Sequence, residues 1–231
     1  MRIPKVVGLL PIIAYIALIG LGIYYDPQGN VTYNPPFLLM ILNITFVTGT
    51  GVVVAALSAR SYLRSGSVSI LLLGGATLLA GLASLVAGYS ADFVSGDYGV
   101  TTHNVGFLLS SVLQLLSAVA SIEMIGPSRA TNRQGTLVVT YSLIVLTVVA
   151  ITAMTYSDNL PTFLGATGHT GIQQTVLLLT TTFFAVSGII FFHQYLRSRS
   201  DPLSWYAFGL GMFAVGMVSL FFQETNGDVF S

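Results

Sequence analysis

Long apolar runs separated by short polar stretches repeat along the whole chain. A helix that crosses a hydrocarbon core of about 30 Å needs about 20 mainly apolar residues. Seven stretches meet that length: residues 6–25, 37–59, 68–89, 105–122, 136–155, 172–192 and 203–222. None of them contains Asp, Glu, Lys, Arg or His. A membrane β-barrel would need strands of about ten residues alternating polar with apolar, and runs such as Val52-Val53-Val54 and Leu71-Leu72-Leu73 do not alternate. The pattern therefore predicts an all-α integral membrane protein, a single domain over 1–231 built as a bundle of seven transmembrane helices. The first run follows Arg2 and Lys5 and has no clear small-x-small site after it, so it is expected to be a retained helix rather than a cleaved signal peptide.

The polar breaks carry an orientation. Arg2 and Lys5 precede the first run, Arg60 and Arg64 lie between the second and third, Arg129 and Arg133 between the fourth and fifth, and Arg197 and Arg199 between the sixth and seventh. All eight basic residues thus fall on one side. The opposite side holds Asp26, Asp92, Asp97, Asp158, Glu224 and Asp228, with no Lys or Arg. By the positive-inside rule the N-terminus is cytoplasmic and the C-terminus outside, in a multi-pass protein of the plasma membrane. The outer connections 26–36, 90–104 and 156–171 are rich in Gly, Pro, Asn and Thr and read as turns.

Composition narrows the function. Charged residues make up 7% of the chain and apolar ones 54%, against about 25% charged in a soluble domain. Zero net charge offers no basic field for nucleic acid. Without cysteine there is no thiol nucleophile, zinc ribbon or iron–sulfur site, and three histidines leave little for a metal centre. The only lysine, Lys5, lies outside every span, which excludes a retinal Schiff base. No metal, no cofactor and no enzymatic activity are expected, and the lack of intramembrane charge argues against an ion-coupled transporter.

Two sets of residues stand out within the spans. Lipid tails are as apolar as Leu, so helices associate where small residues let backbones approach. Gly74, Gly81 and Gly88 in the third span, with Gly209 and Gly216 in the seventh, are expected to be packing positions, and Leu79 to face lipid. The second set is polar and neutral. Asn43, His103, Asn104, Gln173 and Gln174 fall toward the outer ends of the second, fourth and sixth spans, and they are the candidate lining of an outer-half pocket for a small uncharged ligand. Mutual hydrogen bonding between helices is the competing account of the same residues.

Several strings also resemble a known family. They are Pro36-Phe37-Leu38-Leu39-Met40-Ile41-Leu42-Asn43-Ile44-Thr45-Phe46, Ala59-Arg60-Ser61-Tyr62-Leu63-Arg64-Ser65-Gly66-Ser67, His103-Asn104-Val105-Gly106, Pro161-Thr162-Phe163 and Trp205-Tyr206. In this order and spacing the chain from Pro36 onward resembles the membrane-embedded N-terminal sensor region of archaeal and bacterial sensor histidine kinases that carry PAS modules. The resemblance implies a receptor module for a small or membrane-borne signal, relayed to fused kinase domains in a two-component system. The residues up to Ser231 hold no PAS or kinase sequence, so an isolated sensor portion or a stand-alone relative acting through a cytoplasmic signalling partner is expected. The alternative is a membrane subunit of a larger complex, with a structural or lipid- or quinone-binding role. A homodimer or other membrane subunits are the partners these readings imply, together with the lipid bilayer.

Overall fold

The computed structural model describes residues 38–122, 132–161, 163–165, 168–199 and 201–219. In chain order these form α1 (Leu38–Leu42), a π-helical turn (Asn43–Thr48), α2 (Gly49–Ser65), α3 (Val68–Phe93), α4 (Gly96–Ile122) and α5 (Arg133–Tyr156). Two-residue strands β1 (Leu164–Gly165) and β2 (Gly168–His169) pair antiparallel, and α6 (Gly171–Ser198) and α7 (Asp201–Ser219) follow. The segment from α1 through α2 is continuous from Met40 to Ser65, and with α3, α4, α5 and α6 it makes five helices long and apolar enough to cross a membrane.

The protein is therefore an all-helical, multi-pass membrane protein. The expected seven spans are reduced among the described residues. Residues 6–25 lie outside them, and α7 offers a shorter apolar stretch, Pro202–Val218. Both chain termini also lie outside the described residues.

The turns at the helix ends are built locally. Gly66 closes α2 with φ +72°, a left-handed conformation that glycine adopts without strain. The Arg133 guanidinium donates to the Leu63 and Arg64 carbonyls at 3.3 and 3.1 Å, satisfying groups that the last turn of α2 leaves open. Asn132 caps α5 by accepting from the Gly135 N–H at 2.8 Å, and the Thr170 side chain caps α6 by accepting from the Gln173 N–H at 3.3 Å.

At one end of the bundle sit the α3–α4 turn and the β1–β2 hairpin, with Asp92, Asp97 and Asp158. At the other lie the α2–α3 turn and the α6–α7 connection, with Arg60, Arg64, Arg133, Arg197 and Arg199. These are called the hairpin end and the arginine end below.

Helix α3 is the centre of the packing and touches α1, the π turn, α2, α4 and α5. Its small residues make this geometry available. A Cβ at Gly81 would stand 3.3 Å from the Thr48 Cα, and one at Gly88 would stand 3.2 Å from the Met40 Cα. A Cβ at Gly74 would collide with Ser58 of α2 and the Tyr141 hydroxyl of α5, and one at Gly106 would run into the Ala83 side chain. Serines then lock α3 to α4. Ser69 donates to the Ser117 carbonyl at 2.9 Å, Ser117 donates to the Ser69 carbonyl at 2.8 Å, and Ser110 donates to the Ala76 carbonyl at 2.9 Å.

The small residues of α7 behave differently. At Gly209 and Gly216 an added Cβ would meet nothing within 4 Å among the described residues, and Gly216 is exposed. Leu79, expected to face lipid, is 1% exposed and packs with Ile144 and Val148 of α5. Its Leu neighbours in sequence gave no indication of this, because a lipid-facing and a core-facing Leu are the same residue.

Expected loop 90–104 is largely helical, since α3 runs to Phe93 and α4 begins at Gly96. Hydropathy marks where lipid-compatible residues begin, but the helix continues through Thr101, Thr102 and Asn104, which are buried against neighbouring helices.

Candidate ligand cavity

A cavity of about 180 Å³ lies at mid-depth between the π turn, α2, α3, α4, α6 and α7. Its wall is mostly apolar, with Val47, Val54, Phe184, Trp205, Leu210 and Phe213 supplying most of the bulk. Gly51, Gly81 and Gly209 lie along it too, and the absence of side chains there keeps the space open. Three rings close it toward the hairpin end. Phe184 stacks on Phe213 at 5.6 Å, and Phe107 stands 6.3 Å from Phe184 and 5.8 Å from Phe213.

Most polar groups in the wall are occupied by the protein itself. Thr77 donates to its own helix at the Gly74 carbonyl, 3.0 Å, and Ser110 is used by Ala76. Thr50 bonds back to Phe46 and Val47. The exception is a pair that joins two helices: the Tyr206 hydroxyl of α7 donates to Gln114 Oε1 of α4 at 2.6 Å. Gln114 is 2% exposed, and its amide has two further N–H donors. The pair is thus a hydrogen-bonding point on an otherwise apolar surface, the composition of small-molecule sites. Between α2 and α7 the rim carries Thr50, Trp205 and Phe213, all exposed among the described residues.

The residues expected from sequence to line an outer pocket are Asn43, His103, Asn104, Gln173 and Gln174. Asn43 opens the π turn and stands beside Gly88, where its Nδ2 would lie 3.2 Å from an added Cβ. His103 is half-buried and stacks on Phe107 with centroids 4.1 Å apart. Asn104 is 3% exposed. Gln173 is buried in the first turn of α6, whereas Gln174 is exposed. None of the five lines the cavity. Of His169 only the backbone pairing with Leu164 is described.

Nothing in the sequence singles out Gln114, and Tyr206 figures there only in the Trp205-Tyr206 pair of the family resemblance. The missing signal is tertiary. The two are 92 positions apart, and nothing local pairs them.

Comparison with protein-family models, curated proteins and solved structures finds no match.

Proposed function

We propose that this protein is a non-enzymatic membrane receptor that binds a small, uncharged, lipid-soluble molecule in the mid-depth cavity and relays its presence through α7. The observation that carries the reading is the Tyr206–Gln114 hydrogen bond, the one side-chain pair across helices in this apolar wall among the described residues. An uncharged ligand suits it because no fixed charge lines the cavity among the described residues to offset an ion's desolvation. A carbonyl or ether oxygen on the ligand would accept from the Gln114 amide, and the Phe and Val surfaces would hold its apolar body.

In this reading the chain has seven spans, with residues 6–25 as the first, a cytoplasmic N-terminus and an outer C-terminus. The separation of Arg60, Arg64, Arg133, Arg197 and Arg199 from Asp92, Asp97 and Asp158 between the two ends supports that orientation. The membrane is the plasma membrane. The output goes to a cytoplasmic partner or to fused PAS and kinase domains, as the resemblance to sensor kinases implies. Reporter fusions after Tyr33, Gly66, Gly96, Asn132, Asn159 and Ser200 should alternate outside and inside. Two consecutive sites on one side would end the seven-span arrangement.

Trp205 makes the cavity directly testable, because it lines the site and is the only tryptophan of the chain. With the protein in lipid nanodiscs, titration with a short-chain benzoquinone should quench Trp205 fluorescence saturably. Gln114→Leu should weaken that binding at least tenfold, as loss of one buried hydrogen bond of about 1.5 kcal/mol would. Linear, unsaturable quenching that is the same in both proteins would show that no site exists. A complex subunit holding a lipid or quinone would use the same cavity, and stable co-purification with other membrane subunits would favour that role over signalling.

A further inference from the structure

The helices join in a series of contacts that stops short of closing. Helix α2 packs on α5, α5 on α4, α4 on α6 and α6 on α7. Individual contacts mark these seams. The Tyr141 hydroxyl of α5 donates to the Ala55 carbonyl of α2 at 2.8 Å, and Gln194 Nε2 of α6 donates to Ser121 Oγ of α4 at 2.6 Å. A Cβ at Gly188 of α6 would stand 3.3 Å from the Ala207 carbonyl of α7. Among the described residues, no comparable packing returns from α7 to α2. These two helices instead face each other across the ligand cavity, where Thr50 and Val54 line one bank and Trp205, Gly209 and Phe213 the other.

On α7, Trp205, Gly209, Phe213 and Gly216 follow at steps of four, four and three residues, so they share one face. The first three line the cavity, so that face looks across the opening toward α2. The space at Gly209 and Gly216, where an added Cβ meets nothing within 4 Å among the described residues, lets another backbone approach closely. On α2, Gly51 and Ser58 meet α3, and Ala55 meets α5. Thr50, Val53 and Leu57 make a separate, exposed face that begins at the cavity rim.

The chain itself supplies an occupant. Residues 6–25, outside the described residues, are twenty residues without a charge, the length of one span. Arg2 and Lys5 assign residue 6 to the arginine end, by the rule that sorts the other arginines. Leu38 opens α1 at the hairpin end, since Met40 stands beside Gly88 late in α3. A segment that leads through residues 26–37 into Leu38 is the antiparallel neighbour of α2. One flank of α2 is taken by α3 and α5, and the other borders the opening. In the opening a helix packs on α2 and α7 together, whereas on the outer face of α2 it would touch α2 alone.

We propose that residues 6–25 dock in the opening between α2 and α7 and complete the wall of the ligand cavity, an inference that rests on the seven-span arrangement above. The chain has no cysteine, so a cross-linking scan is free of background. In the full-length protein in nanodiscs, Gly209→Cys is combined in turn with a cysteine at each position from 10 to 20, with a protease site inserted between Gly29 and Asn30. After oxidation with copper phenanthroline and cleavage, the two fragments should stay joined on a non-reducing gel at positions three or four apart, and separate at those between. The same scan against Leu143→Cys, on the exposed face of α5, should give no joined product. No joining to Gly209→Cys anywhere in the scan, or equal joining to Leu143→Cys, would overturn the proposal. So would a dimer formed through Gly209→Cys alone, which would put a second copy in the opening. The reporter after Tyr33 separates two failures. On the cytoplasmic side it removes the seven-span arrangement and the docking with it, whereas an outside reporter without cross-links removes the docking alone. The unaltered protein gives a second readout that stands even if a variant fails to fold. Its nanodisc density map should show a helix between α2 and α7, and acyl-chain density filling that opening would overturn the proposal.

Discussion

Helices α3 and α5 are almost equally hydropathic, yet 56% of the apolar window of α3 is buried and only 17% of that of α5. Their sequences differ in the size of the residues. Helix α3 spreads Gly74, Gly75, Ala76, Ala80, Gly81, Ala83, Ala87 and Gly88 around its surface, and all are buried. Helix α5 buries a single stripe, Ile144, Val148, Ile151 and Thr155, and exposes Val138, Val139, Leu143, Leu146 and Val149. In water, burial follows hydropathy because apolar surface leaves the solvent. Within lipid that driving force is absent, and close backbone approach decides which helix goes inside.

Substitutions that reverse residue size should break this contrast most visibly. Gly106→Leu puts a branched side chain where even a Cβ runs into Ala83. It should destabilise the bundle by about 3 kcal/mol or more, read as loss of the folded monodisperse peak in mild detergent. Removing half of the α3–α4 serine lock is a smaller insult. Ser69→Ala, which takes away a donor to the Ser117 carbonyl, should cost about 1 kcal/mol, and a double-mutant cycle with Ser117→Ala should return a coupling of about 0.6–1.7 kcal/mol. A coupling of zero would assign α3–α4 cohesion to close contact alone.

On the exposed side the effect should nearly vanish. Leu143→Ala on α5, 57% exposed, should stay within about 0.5 kcal/mol of the parent in a thermal or steric-trap measurement. The same holds for Gly211→Ala, where an added Cβ meets nothing within 4 Å among the described residues. A large loss at Leu143 would mean that α5 is covered by protein, and the comparison with α3 would then need a partner chain.

Much of this fold is written in the sequence. The apolar runs locate α2 to α6, and the placement of arginine sorts the bundle's two ends. The glycine stripe Gly74, Gly81 and Gly88 is legible because small residues at helical spacing have one main use in a membrane. The start of α4 is less so. Gly96, Asp97 and Gly99 have the composition of a turn, and only packing against α3 makes them helical, with Gly99 buried close to the Ala87 carbonyl. The cavity is hardly legible at all, because it exists where side chains are missing from several helices at one depth. Gln114 and Tyr206 acquire meaning only when α4 and α7 meet. The glycines of α7, chemically the same as those of α3, have no neighbour within 4 Å of an added Cβ among the described residues, so a motif of small residues identifies a surface able to pack and leaves its partner unspecified.

The π turn at Asn43–Thr48 has a consequence for phase. From Asn43, which stands beside Gly88, to Gly51, which meets Thr77, the chain advances eight residues. Eight residues of regular α-helix overshoot two full rotations by about 80°, enough to swing one contact off α3 while the other stays on it. The Gly49 N–H bonds to the Ile44 carbonyl, five residues back, and this wider turn takes up the surplus rotation. The stretch thus carries an inserted residue that the helix hides by local unwinding, in the manner of a leap day that keeps the calendar aligned with the season. Both halves keep the same seam against α3, and the unwound turn contributes Val47 to the wall of the cavity and leads directly into Thr50 of α2, on the same wall.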